Sequence, residues 1–211
     1  ADVMLRPDEI DCEVIRSARA LHFGSLSLTQ EPCRSAALAG ARIAREAGAL
    51  ISFDANFRPD LWPDPGEARA RILDCLPQVD VLKVNEVELQ LLTGQSALRS
   101  ARELLRLGPR ACVVTLGPHG SYFQTCAADG RVPGFPVAAV DATGCGDGFV
   151  AGLLTQLLGP GGWEETFSSA RLAAALRYAN AVGAMTAMKP GAIPALPTGD
   201  SVQEFLHNHG D

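Results

Sequence analysis

The chain has no basic stripe, no Cys-x-x-Cys pair and no apolar run long enough to span a membrane, and each absence removes a class of function. With a formal charge of −6, a nucleic-acid partner is not expected, because phosphate backbones are held by clustered lysine and arginine. The six cysteines, at 12, 33, 75, 112, 126 and 145, have no histidines at zinc spacing, so free thiols in a reducing cytoplasm are expected. Cys112 reads as a small core residue of an apolar strand and Cys145 as a more accessible one. His207 and His209 flank Asn208 near the end, where a fraying terminal helix accounts for them better than a metal. Residues 1–9 are charged and show no secretory signal. Nothing like a linker, repeat or low-complexity tract divides the 211 residues, whose 47% hydrophobic content suits one substantial core, so a single domain over 1–211 is expected.

What is present is an alternation of short apolar runs with helical patterns. Strands are expected at 20–28, 49–54, 80–84 and 111–116, and helices at 32–47, 65–76, 86–93 and 97–107. Gly48 and Gly94 stop two of these helices. Runs such as Cys112-Val113-Val114-Thr115-Leu116 lack in-out alternation, which predicts an α/β fold with a parallel, Rossmann-like sheet flanked by helices on both faces. Residues 120–140 read as a hairpin region, and the final third as helices over 144–158 and 165–188, broken at 159–162.

The most informative stretch is Asp141-Ala142-Thr143-Gly144-Cys145-Gly146-Asp147, which runs into Phe149, Val150, Leu153, Leu154, Leu157 and Leu158 at helical spacing. Glycines clear side chains from the main chain, and a helix start presents unpaired N–H groups with about half a positive charge from the dipole. An oxyanion fits in front of Gly144, Cys145 and Gly146, and Asp147 stands ready to take a proton from an attacking hydroxyl. The bland alternative is a tight turn with a dipole-complementing aspartate. No Gly-Lys-Ser/Thr follows, and Phe149 replaces the third glycine of a dinucleotide fingerprint. Glu164 has the spacing of a ribose acid but no strand to carry it.

In an open parallel sheet, ligands gather beyond the carboxyl ends of the strands, and polar residues cluster there. Asp54-Ala55-Asn56-Phe57-Arg58 follows one strand, Asn85-Glu86-Val87-Glu88 the next, and Gly117-Pro118-His119-Gly120 a third. Each has an ordinary reading as a turn or a helix cap. Together they supply what a nucleotide needs: Gly117 and Gly120 for close backbone approach, Asn85 and Glu88 for magnesium held through water, and Arg58 as a planar clamp for an anion.

These motifs resemble the ribokinase-like, or PfkB, family of carbohydrate kinases over residues 20–198. Val140 to Asp147 resembles the family's C-terminal signature, Asn85-Glu86-Val87-Glu88 its Asn-x-x-Glu motif, and Val114-Thr115-Leu116-Gly117 its nucleotide strand. The resemblance implies that Asp147 is the general base, that the amides of Gly144 to Gly146 form the anion hole, and that Asn85 and Glu88 organise magnesium and phosphate. It places Thr115, Gly117 and Gly120 beside ATP and Asn180 and Ala184 by the adenine. It further implies a potassium-type site near Asp141 and residues 190–192, which no side-chain spacing establishes independently. The segment from Phe53 to Pro63, with Asp54, Asn56 and Arg58 on the substrate side, resembles bacterial fructokinases and 2-keto-3-deoxygluconate kinases, while Lys189 to Pro194 leans towards fructokinase.

The expected activity is ATP-dependent phosphorylation of a ketose hydroxyl, most simply of fructose, with 2-keto-3-deoxygluconate or nucleotide binding without catalysis as the alternatives. Cys145 stands where the family has alanine, and Gly148 where it has another small residue. Family members begin with further strands and a lid that are not seen before Ala1, so the chain reads as the C-terminal part of a kinase. In this family such lid strands often join subunits, so the resemblance implies a homodimer as an expectation for the longer form.

Overall fold

Local punctuation sets most element boundaries in the computed structural model, which describes residues 2–160, 163 and 167–210. The chain forms two compact units, Ala1–Val114 with Gln124–Ala127, and Thr115–Phe123 with Ala128–Asp211.

In the first unit, β1 (Ala20–Gly24), β2 (Leu50–Asp54), β3 (Val81–Asn85) and β4 (Ala111–Thr115, its last residue falling with the second unit) lie side by side in chain order. The β1–β2 and β2–β3 pairs are parallel, and the second pair sets Asp54 opposite Lys83. The helices α1 (Cys12–Ser17), α2 (Cys33–Glu46), α3 (Pro65–Cys75), α4 (Glu86–Thr93) and α5 (Ala101–Leu105) surround them. Every residue of β2 is buried, so both of its faces are covered, as the unbroken apolar runs predict.

Caps explain where these helices begin. Asp64 accepts the N–H groups of Gly66 and Glu67 at 2.7 and 3.0 Å, with Pro65 in the first turn, which fixes the start of α3. At the other end of α4, Gly94 adopts φ +75° and its N–H returns to the Gln90 carbonyl at 2.8 Å. Two expected boundaries shift. The strand expected to reach residue 28 ends at Gly24, and Ser25–Leu28 turns as a 3-10 segment that buries Leu28. The helix expected over 97–107 is a 3-10 turn at Leu98–Ser100 followed by α5.

The second unit holds β6 (Asp129–Val132) and most of β5 (Ser121–Thr125), whose last two residues fall with the first unit. Residues 133–144 carry no strand: Pro133 and Pro136 have no N–H to give a ladder, so the hairpin is shorter than the 120–140 expected. Then come α6 (Cys145–Leu157), α7 (Ser169–Ala187) and α8 (Gly199–Asn208). The expected start of the penultimate helix at Glu165, its preceding Gly162 and the considered acid Glu164 lie outside the described residues. Close approach of α6 and α7 depends on missing side chains: a Cβ on Gly152 would sit 2.9 Å from Val182 and 3.1 Å from the Ala179 Cα. Phe135, Tyr178, Ala181, Val182 and Val202 form a buried cluster that joins the 133–144 strap, α7 and α8. Among the described residues no helix is long and apolar enough to cross a membrane.

Candidate active site

The loop ahead of α6 is held by Asp141. Its Oδ1 accepts the N–H and the hydroxyl of Thr143 at 2.9 and 2.7 Å, and its Oδ2 accepts the Gly191 N–H at 2.9 Å. The Thr143 hydroxyl, followed by the Gly191 and Thr143 amides, holds this carboxyl down at about 2. Gly144 then turns at φ +78°, and a Cβ there would lie 2.9 Å from that of Ala192, so the loop is seated against residues 191–192. Asp141 therefore has a full structural role at the place where the resemblance implies a monovalent cation.

Three amides at the start of α6, those of Gly144, Gly146 and Asp147, find no acceptor among the described residues. The Cys145 N–H differs from the expected arrangement: it turns back to the Ala142 carbonyl at 3.2 Å, which removes it from the donor set. Burial, reinforced by Asp141, pushes the Cys145 thiol up and keeps it from acting as a thiolate. The Asp147 side chain is exposed and bonds to none of the described residues, as a proton acceptor awaiting a substrate requires.

A cavity of about 400 Å³ in the second unit opens onto that helix start. Thr115, Gly117 and Gly120 border one side, Phe135, Val137 and Ala139 another, and Asn180, Ala184 and Ala187 of α7 a third; Cys145 and Gly146 line it too. The volume and the mostly apolar walls with few polar groups suit a small planar ligand. Every nucleotide-side residue expected from the sequence thus borders one space. Their individual tasks are more specific. Gly117, at φ +56° with nothing near its missing Cβ, serves a turn. Gly120 permits backbone contact, since a Cβ there would fall 2.2 Å from the Val132 carbonyl oxygen. Asn180 gives its amide hydrogens to the Val132 and Pro133 carbonyls at 3.2 and 3.1 Å, pinning the strap to α7.

The first unit carries the other candidates. Asn85 and Glu88 form a reciprocal cap at the start of α4: Asn85 Oδ1 accepts the Glu88 N–H at 2.9 Å, and Glu88 Oε2 accepts the Asn85 N–H at 2.7 Å. Glu88 Oε1 also takes the Phe57 N–H at 2.8 Å, and the residue is 2% exposed. Burial drives its carboxyl upward, against Lys83 and the two amides, which favour the charged form. Such a carboxylate is no direct ligand, and no group of three or more His, Cys, Asp or Glu among the described residues could hold a metal. This donor set offers no direct cage for magnesium and suits an ion that keeps its waters.

Asp54 is not a free substrate contact. Both its oxygens lie 3.0 Å from Lys83 Nζ, Oδ1 also accepts the Asn56 N–H at 3.0 Å, and the residue is 4% exposed. Removing one partner from such a buried pair typically costs about 3–5 kcal/mol. Asn56 has φ +35°, the one non-glycine described with a positive value, and Arg58 beyond it is exposed, with one weak bond to the Phe57 carbonyl at 3.4 Å. Sequence reasoning missed Lys83 and Phe135. The signal for Lys83 was a lone charge inside Val81-Leu82-Lys83-Val84; for Phe135, an aromatic between prolines just ahead of the Asp141 loop. The terminal histidines are accounted for locally: His209 stacks on Phe205 with centroids 4.1 Å apart and meets its carbonyl at 2.9 Å. Cys75 and Cys112 are buried thiols pushed up to about 12.

Residues 2–199 match the family described as pfkB family carbohydrate kinase. The chain is 46% identical over 208 residues to "Probable fructokinase-2" of Arabidopsis thaliana, covering 98% of this chain and 63% of that protein. A double-mutant fructokinase from Vibrio cholerae O395, in a form with fructose, ADP and potassium ion bound, aligns with TM-score 0.87 at 34% identity, covering 98% of this chain and 65% of that one. Aminoimidazole riboside kinase from Salmonella enterica, complexed with aminoimidazole riboside and an ATP analog, gives TM-score 0.85 at 36% identity, covering 98% and 68%. The chain belongs to the pfkB family of carbohydrate kinases, with the ribokinase-like α/β fold, and spans 63% of the length of the curated relative it matches.

Proposed function

We propose that this chain binds ATP and transfers its γ-phosphoryl group to a hydroxyl of a ketose, with fructose as the preferred acceptor. The observation that carries the reading is a single cavity whose wall runs from the Gly117–His119 turn to Gly146, beside unpaired amides and an unengaged aspartate. The nucleoside occupies the apolar part, and the Gly144, Gly146 and Asp147 amides receive phosphate oxygens. Asp147 takes the proton of the acceptor hydroxyl as its oxygen bonds to phosphorus and the bond to the departing ADP breaks. Magnesium bound with the nucleotide would supply charge screening on its phosphates, with Asn85 and Glu88 the residues that would hold it through water; Glu88 also holds the Asn85 and Phe57 amides. Sugar recognition is assigned to Asn56 and Arg58. Asp141 holds the loop whether or not potassium occupies its neighbourhood. Six free cysteines favour a reducing, cytoplasmic setting.

Fructose is preferred over 2-keto-3-deoxygluconate because of the fructokinase relatives, while Arg58 suits the carboxylate of the second sugar equally well. An ADP-release assay with each sugar, run beside a nucleotide titration, separates the readings. Fructose-dependent ADP release supports the proposal, release only with the sugar acid reassigns the substrate, and nucleotide binding without release leaves a binding protein.

A further inference from the structure

We infer that Lys83 is a positioning residue for the substrate loop, holding residues 56–58 in place through the buried carboxylate of Asp54. The parallel register sets Lys83 opposite Asp54, and its ammonium lies 3.0 Å from both Asp54 oxygens in a site that leaves Lys83 7% and Asp54 4% exposed. Asp54 Oδ1 then takes the Asn56 N–H, and Glu88 Oε1 takes the Phe57 N–H, at 3.0 and 2.8 Å. Two successive amides, immediately ahead of Arg58, are thus anchored on buried acids, the first of which is held by the interior cation. A second bond runs along the same path: the Ala55 N–H reaches the Lys83 carbonyl at 3.0 Å.

The arrangement does more than stabilise the strand ends. Asn56 sits at φ +35°, a backbone region that non-glycine residues seldom occupy, and it persists where neighbours over-determine it. Hydrogen bonds from the Asn56 and Phe57 N–H groups to the Asp54 and Glu88 carboxylates supply that constraint. Without the ammonium, Asp54 remains buried with no counter-charge and draws in water, which loosens its hold on the Asn56 amide and on the turn that follows. Lys83 therefore acts on substrate only through Asp54, by fixing where Asn56 and Arg58 are presented.

The substrate half of this inference rests on the kinase reading, whereas the loop half does not. The test compares the parent protein with Lys83→Met and with the neutral pair Asp54→Asn/Lys83→Met, in which the side-chain amide oxygen introduced at position 54 can still accept the Asn56 N–H. Amide hydrogen exchange at Asn56 and Phe57 is expected to speed up about tenfold or more in the single variant and to recover most of that change in the double variant, a non-additive pattern. In the ADP-release assay the fructose KM rises about tenfold in the single variant with kcat within about threefold, and nucleotide affinity stays within about twofold. Unchanged amide exchange in folded Lys83→Met overturns the inference, as does a double variant no better than the single one. If Lys83→Met does not fold, the double variant with parent-like exchange supports it and one with rapid exchange overturns it. A parent that phosphorylates no sugar, while its amides respond as described, refutes the kinase reading and still supports positioning by Lys83.

Discussion

Asp141 shows how a single half-buried carboxylate can be held far from its ordinary acidity by neighbouring hydrogen bonds. Its folded value, about 2, lies below the ordinary 3.8, so the charged form is favoured by folding. The contribution is fully present above the unfolded value and is lost as pH falls through the folded one, a window from about 4 down to about 2. NMR titration of the Thr143 and Gly191 amides is expected to show one transition near the bottom of that window, absent in Asp141→Asn. A midpoint at the ordinary carboxylate value would contradict the three hydrogen bonds. At this scale the sequence was informative where the chemistry is local. Gly144, Gly146 and Asp147 stand next to one another in the chain, and their helix is announced by its apolar spacing. Asn85 and Glu88 were readable as a cap, and the geometry shows that cap. Lys83 was not readable, since its partner lies on another strand and only the register brings them opposite each other.

Among elements, glycine decides how closely chains pass, and the consequences differ from site to site. Gly117 and Gly120 share one turn and both have positive φ, yet only Gly120 is pressed against backbone, with a Cβ placed 2.2 Å from Val132 O and 2.4 Å from Gly134 N. Gly120→Ala is expected to lower stability by about 2–4 kcal/mol, combining strain with overpacking, against about 1–2 kcal/mol for Gly117→Ala. Urea denaturation of the two variants checks this, and equal losses would mean that the close approach is not tight. Element positions were largely legible because apolar period and stop residues agree, as in α4, found at Glu86–Thr93 as expected. What escaped was the strap at 133–144, expected as part of a hairpin. Its prolines rule out a ladder, but only the packed fold shows that Phe135 and Val137 become cavity wall. On α7, Ala179 and Val182 meet Gly152 of α6.

For the whole molecule, composition narrowed the class and the motif set named the family, but neither could assign tasks within it. The parallel α/β class followed from unbroken apolar strands, and family membership is carried by residues 2–199. The division into two compact units was not legible, because no linker marks it; the boundary runs through β5 rather than between elements. The assignment of chemistry comes from the second unit, where a cavity suited to a nucleoside, unpaired amides and an aspartate without a partner occur together. The most direct test is Asp147→Asn, which keeps size and removes the proton acceptor. Measured by sugar-dependent ADP release beside a nucleotide titration, kcat is expected to fall about 10²–10⁴-fold with ATP affinity within about twofold of the parent. Turnover retained at the parent rate in the folded variant would contradict Asp147 as the base, and with it the account of this site.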